Sequence, residues 1–485
     1  MSKAKKKQKT MEELLEEALV PEEEQPYKVP ENWVWVRLGS ISEIIRGVSY
    51  KKHQVTTDLN DSNAFIIRGG NIQDGKIVNQ KDNVYVPKEL VRNEQFIRKG
   101  DVVIVSSTGS SKVIGKPGII KEDDEDTSFG AFITMIRPNE GIHYSYFGMY
   151  FLSHLYREKI VSLAKGSNIN NIKKEHLTQL TMPVPNVNEQ IRIADKAGRL
   201  LYKIDEAKRF IEEAKETFEL RRAAILDKAF RGELTEEWRK ENPEVRLPRI
   251  SDSALAEAPY DIPSEWKWVR LGDVCSLLSG KGFKKAEYTD EGVKLLKIQN
   301  VSYRKIDWSD VSCLPDHYLE TEAKLVLHPQ DILIALNRPI TNNKLKVGML
   351  KDEDTPAILY QRVGCLRPVS EELDPSFLYL LFTSGYFLNE IQKRLLGSDQ
   401  PYINMPQLKE IPIPLVSYPE QKAIVESVHT FLKKEQKALG RVESSIDFES
   451  LQSSILSQAF RGELGTNEPA EESAIELLKK VLQNR

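Results

Sequence analysis

The stretch AFRGEL occurs at 229–234 and again, unchanged, at 459–464. It is one mark of a longer repeat, and a repeat of this length constrains a fold strongly, because each copy must solve the same packing problem. YKVPENWVWVRLG from Tyr27 aligns with YDIPSEWKWVRLG from Tyr260, and KGDVVIV around Asp101 aligns with PQDILIA around Asp331. GIIKEDDEDT and GMLKDEDT follow at Gly118 and Gly348, then Arg137-Pro138 and Arg367-Pro368. KGSNINNI and LGSDQPYIN align through Gly166 and Gly397, and PVPNVNEQ and PLVSYPEQ precede the two copies of AFRGEL. The offset varies by only about four residues, so the chain is a tandem duplication of a unit of roughly 230 residues.

Each copy has the same internal order. WVWVRLG alternates apolar and polar residues at strand period and opens a stretch rich in Val, Ile and turn residues. This predicts a mixed, mostly β globule over 27–185 and another over 260–416, with short helices near YSYFGMYFLSHLYREKI and PSFLYLLFTSGYFLNEIQ. A long helix follows each globule, at 186–232 and 417–462. Asn186 with Glu189, and Ser417 with Glu420, fit capping boxes at the helix starts. In the first helix Ile193, Ala197, Leu200, Ile204, Ala207, Ile211, Ala214, Phe218 and Ile225 recur at alternating steps of four and three, the seam of a coiled coil. The second keeps Ile424, Val428, Phe431, Ala438 and Val442, interrupted by Glu435 and Ser445. Two equal seams in one chain predict that the helices pair. Gly232 and Gly462 suit the left-handed residue that closes a helix, so AFRGEL reads as a helix terminus. Residues 1–26 form a basic tail and a short amphipathic helix, 233–259 a linker, and 463–485 a tail with a second short helix. The terminal helices are expected to dock on partner subunits or to close the ring between the two chain ends. The fold class is α+β, a tandem pseudo-repeat of two mostly β globules and two long helices.

Composition excludes several classes. Among 485 residues, Cys275, Cys313 and Cys365 are too few and too scattered for a disulfide framework or a four-ligand zinc site. No apolar run reaches membrane-spanning length, and MSKAKKKQK is followed by an acidic helix pattern, which predicts a cytoplasmic protein. The net charge of −3 and pI near 6.3 argue against coating nucleic acid by bulk charge, so a DNA role must rest on local patches or on partners.

The two copies match at strand edges and helix ends and diverge in polar, glycine-rich loops. Arg, Lys, Asn, Gln and Ser in such loops can hydrogen-bond base edges and phosphates. The candidate DNA-contacting residues of the first copy are Lys51, Lys52, Arg68, Asn71, Gln73, Ser107, Ser110, Lys112, Asn168, Asn170, Asn171, Lys173 and Lys174. Those of the second are Lys284, Lys285, Lys297, Gln299, Asn300, Arg338, Asn342, Asn343, Lys344, Ser398, Gln400, Tyr402 and Asn404. The acidic tips KEDDEDTS and KDEDTP repel phosphates and should face away from any DNA.

With two variable globules and two repeated helices, the chain resembles the specificity (S) subunit of Type I restriction–modification systems from about Trp33 to Leu464. WVWVRLG with WKWVRLG, GSNINNIKKEHLTQLTMPVPNVNEQ with GSDQPYINMPQLKEIPIPLVSYPEQ, and the paired AFRGEL carry the resemblance. It implies that each globule is a target recognition domain for one half of a split double-stranded DNA site. It further implies that the helices form an antiparallel coiled coil that sets the spacer and docks two methyltransferase (M) subunits. S-adenosylmethionine belongs to those partners, and ATP and Mg²⁺ to restriction/translocase (R) subunits, so this chain is implied to be non-catalytic and to need no cofactor or metal of its own. A helix of about 40 residues is about 60 Å long, enough to place two globules over half-sites about 34–36 Å apart.

The residues agree that this is not an enzyme, since phosphate-binding loop, adenine-methyltransferase and metal-ligand motifs are all missing. Glu-Ala-Lys at 206–208 and 213–215 lies on the heptad helix and reads as structural. The alternative is a coiled-coil adaptor that bridges other proteins without DNA specificity.

Overall fold

The computed structural model describes residues 9–57, 60–80, 82–164, 170–248, 258–443 and 446–484. They form two compact units, one built from Met1–Phe210 with Ile446–Arg485 and the other from Ile211–Ser445. The structural units are therefore out of phase with the sequence repeat. The end of each long helix belongs to the globule of the other copy.

The units share one plan. In the first, Val34–Arg37 pairs antiparallel with Thr181–Val184, which ties the start of the globule to its end. A four-stranded sheet runs in the order Ser42–Arg46, Ile133–Pro138, Val102–Val105, Pro117–Ile119. A three-stranded sheet sets Asn63–Ile67 between Thr127–Phe129, which is parallel to it, and Val84–Pro87, which is antiparallel. The second unit repeats this with Lys267–Arg270 on Pro412–Leu415 and a sheet ordered Cys275–Ser279, Val363–Pro368, Ile332–Ala335, Val347–Met349. Its other sheet has four strands centred on Val293–Leu296 and Ala357–Leu359. Val102–Val105 is apolar throughout because the sheet is covered on both faces. Val102 and Ile104 enter the core under the helices, while Val103 and Val105 enter a second core on the other face.

The expected short helices are Tyr144–Leu152 with His154–Leu163, and Pro375–Phe382 with Gly385–Lys393. The first long helix is continuous over Val187–Phe230. The second is not one helix, as the sequence suggested, but two, Tyr418–Glu443 and Phe448–Arg461. Asp447 restarts it by accepting the Ser450 N–H at 3.1 Å, and short polar residues of this kind compete with helical backbone pairing. The first expected capping box is only half made, and the second is not made at all, since the buried Ser417 hydroxyl has no hydrogen-bond partner among the described residues. Asn186 accepts the Glu189 N–H at 3.0 Å, but Glu189 turns to the Trp33 indole N–H at 2.8 Å. Glu420 likewise accepts the Trp266 indole N–H at 2.9 Å. Beside them Gln190 accepts the His143 N–H and Gln421 the Asp374 N–H, both at 2.8 Å. Glu-Gln thus fixes each long helix to its own globule instead of capping it.

The helices run antiparallel within each unit. In the first, Arg192 donates to the Thr466 carbonyl, Lys196 to that of Leu464 and Lys208 to Gln452. In the second, Arg221 meets Glu435 and Thr235 meets Glu420. The seam is buried at its ends, at Ile193, Ala197, Ile204, Ile424 and Val428. Leu200, Ala207, Ile211, Phe218, Ile225 and Phe431 are half-buried. Ala214 and Ala438 are exposed, contrary to expectation, and the Val442 side chain lies outside what is described. An alanine methyl gains only about 0.8 kcal/mol on burial, too little to hold a seam closed. Towards its end the first helix buries Arg222, Leu226, Ala229 and Phe230, one residue out of register with the expected Ile225.

The phenylalanine, arginine and glycine of the repeated helix terminus each have a partner in the other copy. Phe230 joins the core of Trp266 and Phe377, and Phe460 joins that of Trp33 and Tyr146. Their carbonyls accept the hydroxyls of Tyr260 at 3.0 Å and Tyr27 at 3.2 Å. Arg231 stacks on Tyr260 and Arg461 on Tyr27. Gly232 at φ +78° and Gly462 at φ +73° close the helices, as expected. A Cβ at either would lie 2.4 Å from Pro263 Cγ or 2.5 Å from Pro30 Cγ. The terminal helices Met11–Ala18 and Ala474–Gln483 pack in the same core of the first unit, through Ala18, Leu478 and Val481. The two terminal helices touch each other, so the described ends of the chain meet within the first unit.

A matched ion pair lies inside each globule: Arg137 grips Asp101 at 2.8 and 2.7 Å, and Arg367 grips Asp331 at 2.7 and 2.6 Å. Arg137→Ala strands the Asp101 carboxylate, which is 1% exposed, and should cost about 3–5 kcal/mol in chemical denaturation. Gly462→Ala should cost more than about 1 kcal/mol, since it adds both strain and a clash with Pro30. Hydrogen exchange should then rise in the first unit and not in the second.

Candidate nucleic-acid interface

In each unit the divergent loops are brought together by backbone hydrogen bonds around a short turn that the sequence reading did not single out. In the first unit this turn follows the strand Thr127–Phe129 and contains Gly130, Ala131 and Phe132. Val48 N–H donates to the Phe129 carbonyl at 2.8 Å, and Gly130 N–H donates to the Ile67 carbonyl at 3.0 Å. Ser106 and Ser107 N–H donate to the Phe132 carbonyl at 2.9 and 3.2 Å, and Ile172 N–H donates to Ser106 at 2.8 Å. Asn170 and Asn171 pair with Thr108 and Ser107. Four loops, those of Lys51, Arg68, Ser107 and Asn171, therefore converge on one turn.

The second unit builds the same arrangement from different residues. Gln361 N–H donates to Lys281 at 2.9 Å and Tyr360 N–H to Leu296 at 3.0 Å. Leu336 N–H donates to Arg362 at 2.9 Å, Ile403 N–H to Leu336 at 2.8 Å and Arg338 N–H to Pro401 at 2.7 Å. Gly47 and Gly280 make the first contact possible, since a Cβ at either would lie 2.1 Å from the carbonyl oxygen of Gly130 or Tyr360. The scaffold is backbone and common to both units. The side chains it presents are not.

The candidate residues divide accordingly. Lys51, Lys52, Ser110, Lys112, Asn171, Lys173 and Lys174 are exposed in the first unit, with Ser107 half-buried beside them. Lys284, Lys285, Arg338, Ser398, Gln400 and Tyr402 are exposed in the second. Arg68 is half-buried and donates to Asp82 at 2.8 Å, a hydrogen bond that holds the Asp82 carboxyl below its usual range. Lys297 reaches Ser312 at 2.5 Å, and Gln299 reaches Asp310 at 2.5 Å. Asn168 falls outside the described residues, as does the side chain of Asn170.

Two of the expected contacts are enclosed in the fold, and several others also hold local structure. Asn71 and Asn300 are buried, 0% and 1% exposed, and cannot meet DNA. Each accepts a backbone N–H three residues back, from Arg68 or Lys297, and donates to carbonyls on the returning chain. Their amides close turns that would otherwise bury unpaired backbone. Gln73 lies on a hairpin whose Lys76 is 3.7 Å from Asp205 of the long helix, and the corresponding hairpin sets Arg304 2.5 Å from Glu219. Both hairpins brace the helix. Asn342 and Asn343, at φ +49° and +58°, form a two-residue turn that leads to the exposed Lys344. Asn404 caps the helix Met405–Lys409.

The acidic stretch in the first unit precedes the strand Thr127–Phe129, and the turn of Phe132 follows it, so the two lie at opposite ends of one strand. Asp124 there accepts the Thr127 hydroxyl, and in the second unit Asp354 accepts the Trp308 indole N–H. Among the described residues no His, Cys, Asp and Glu cluster could hold a metal ion.

The profile of the Type I restriction modification DNA specificity domain matches twice, over residues 30–216 and 263–441. The MjaVIII specificity subunit of a Type I restriction enzyme from Methanocaldococcus jannaschii is 33% identical over 424 residues, 86% of this chain and 91% of that one. The EcoKI specificity subunit of Escherichia coli strain K12 is 31% identical over 480 residues, 94% and 96% of the two chains. A chain from a structural study of complex assembly and conformational transition in a type I R-M system shares the fold, with a TM-score of 0.64 at 21% identity, covering 90% of this chain and all of that one. Two matched domains, two matched loop clusters and relatives aligned nearly end to end lead to one conclusion: this chain belongs to the Type I restriction–modification DNA specificity family.

Proposed function

We propose that each unit reads one half of a split, asymmetric double-stranded DNA site, and that the chain is a non-catalytic subunit that aims its partners at that site. The observation that carries this reading is the pair of loop clusters, with equivalent backbone scaffolds and unlike side chains. A common scaffold supports docking on the same kind of ligand, and unlike side chains support unlike half-sites. Lys51, Lys52, Lys173 and Lys174 supply phosphate contacts at the rim of the first cluster, and Lys284 and Lys285 at that of the second. The net charge of −3 leaves non-specific binding weak, so partner subunits add phosphate contacts of their own.

The partners in this reading are two methyltransferase subunits, which hold S-adenosylmethionine and methylate adenine N6, and restriction/translocase subunits, which use ATP and Mg²⁺. Tyr202, Phe210 and Leu220 are 65%, 53% and 72% exposed on the long helix, and apolar exposure of this size supports protein docking along it. No helix among the described residues is long and apolar enough to cross a membrane, in keeping with a cytoplasmic site of action.

The direct test is a map of N6-methyladenine across the host genome with and without the gene. Loss of one split, asymmetric motif on deletion is expected, and an unchanged map in a host where the partners are expressed would favour the adaptor alternative. Lys173→Ala with Lys174→Ala should weaken binding to all sequences alike and reduce the salt slope by up to about 2. A shifted base preference with an unchanged slope would count against a phosphate role. Removing a heptad from the middle of both helices should shorten the spacer by about 10 Å, or about 3 base pairs, with both half-sites kept.

A further inference from the structure

The turn at the centre of each loop cluster carries one side chain that neither the fold nor the repeat explains. In the first unit it is Phe132, 70% exposed although its neighbours Phe129 and Ile133 are buried. Its backbone is fixed, because its carbonyl accepts the N–H groups of Ser106 and Ser107 and the Ser106 hydroxyl at 3.0 Å. An aromatic ring held in water by a pinned backbone gains nothing for the free chain. The corresponding residue of the second unit is Arg362, exposed, with its carbonyl bound by Leu336 N–H at 2.9 Å. It sits at φ +67°, a left-handed conformation that costs a non-glycine side chain energy and concentrates at functional sites. The two residues occupy the same place in the two clusters, and their chemistry differs.

We propose that these two residues are the central base readers of the two half-sites, Phe132 through apolar contact with a thymine methyl and Arg362 through paired hydrogen bonds to a guanine. The inference rests on the DNA-reading role proposed above and names the residues and bases that carry it. In the major groove the thymine C5 methyl is the apolar feature a phenyl ring can select, and guanine O6 and N7 together accept the planar fork of a guanidinium. One half-site therefore contains a thymine and the other a guanine at the position facing this turn. The lysines around each turn hold the register without reading sequence.

The test uses the full-length chain, purified with its co-expressed partner subunits and used to enrich binding sites from a randomised duplex library. Wild type should yield a split motif. F132A should relax one base in one half-site and R362A one base in the other, each leaving the opposite half-site unchanged. F132L should restore the thymine preference. R362K, which keeps the charge and loses the fork, should relax the guanine at unchanged salt dependence. On the selected site, thymine to uracil should weaken wild type roughly 4-fold and F132A not at all. Guanine to 7-deazaguanine should weaken wild type by a large part of the roughly 5- to 150-fold of a bidentate contact, and R362A not at all. Both side chains are exposed, so the thermal unfolding of F132A and R362A should match wild type. A wild-type motif that survives F132A and R362A base for base overturns this proposal alone. A wild-type complex that enriches no sequence overturns the DNA-reading role, and this proposal with it.

Discussion

Gly232 lies against Pro263, and Gly462 against Pro30, so closely that neither position has room for a methyl group. Around each contact the same parts gather: a phenylalanine in the core, an arginine on a tyrosine ring, and a tyrosine hydroxyl on the last helical carbonyl. Everything else in a unit depends on this joint, because it brings the end of one repeat's helix into the globule of the other. The first unit is discontinuous as a result, and its core cannot close until residues more than 400 positions from Tyr27 have been made. Folding of that unit waits on a very long loop closure, while the second unit is a single stretch of chain.

A second layer of constraint fixes the helices to the globules at their other ends. The Glu-Gln of Asn-Glu-Gln and Pro-Glu-Gln takes an indole N–H and a backbone N–H from the adjoining globule, all in buried surroundings. Buried groups of this kind are costly unless every partner is in place, so they specify one docking geometry. The loop clusters then stand on a fixed base. Backbone hydrogen bonds hold them together, and side chains can change without loss of the scaffold. That separation suits a family in which framework and recognition must vary independently.

Much of this was legible in the sequence, for identifiable reasons. The globules, the short helices, the long first helix and its glycine closure followed from periodicity and from positions where only glycine fits. The candidate surface was legible only in part. Asn71 and Asn300 look like ligand-binding amides, yet an asparagine four residues after a strand end is as well suited to closing a turn, and only burial distinguishes the two uses. Phe132 reads as core, since it is an aromatic residue between apolar neighbours. The strained backbone angle of Arg362 leaves no trace in composition. A cue did exist: matched landmarks, the acidic EDT and the Arg-Pro pair, stand on either side, while the short stretch between them that holds these two residues is unlike in the two copies.

The seam shows where sequence reasoning stops. Ile225 fits the heptad better than Leu226, and Ala214 and Ala438 fit it as well as Ala197, but Leu226 is buried and those two alanines are exposed. Periodicity reports which face of a helix is apolar. It cannot report what covers that face along its length, because cover comes from segments hundreds of residues away. By itself, then, the sequence determined the duplication, the class of each element and the family, since these rest on local pattern and on matched spacing. Tertiary structure alone decided that each repeat completes the other's globule and that four separate loops meet at one turn. Those outcomes depend on steric fit and hydrogen-bond closure between residues distant in the chain, which no local pattern encodes.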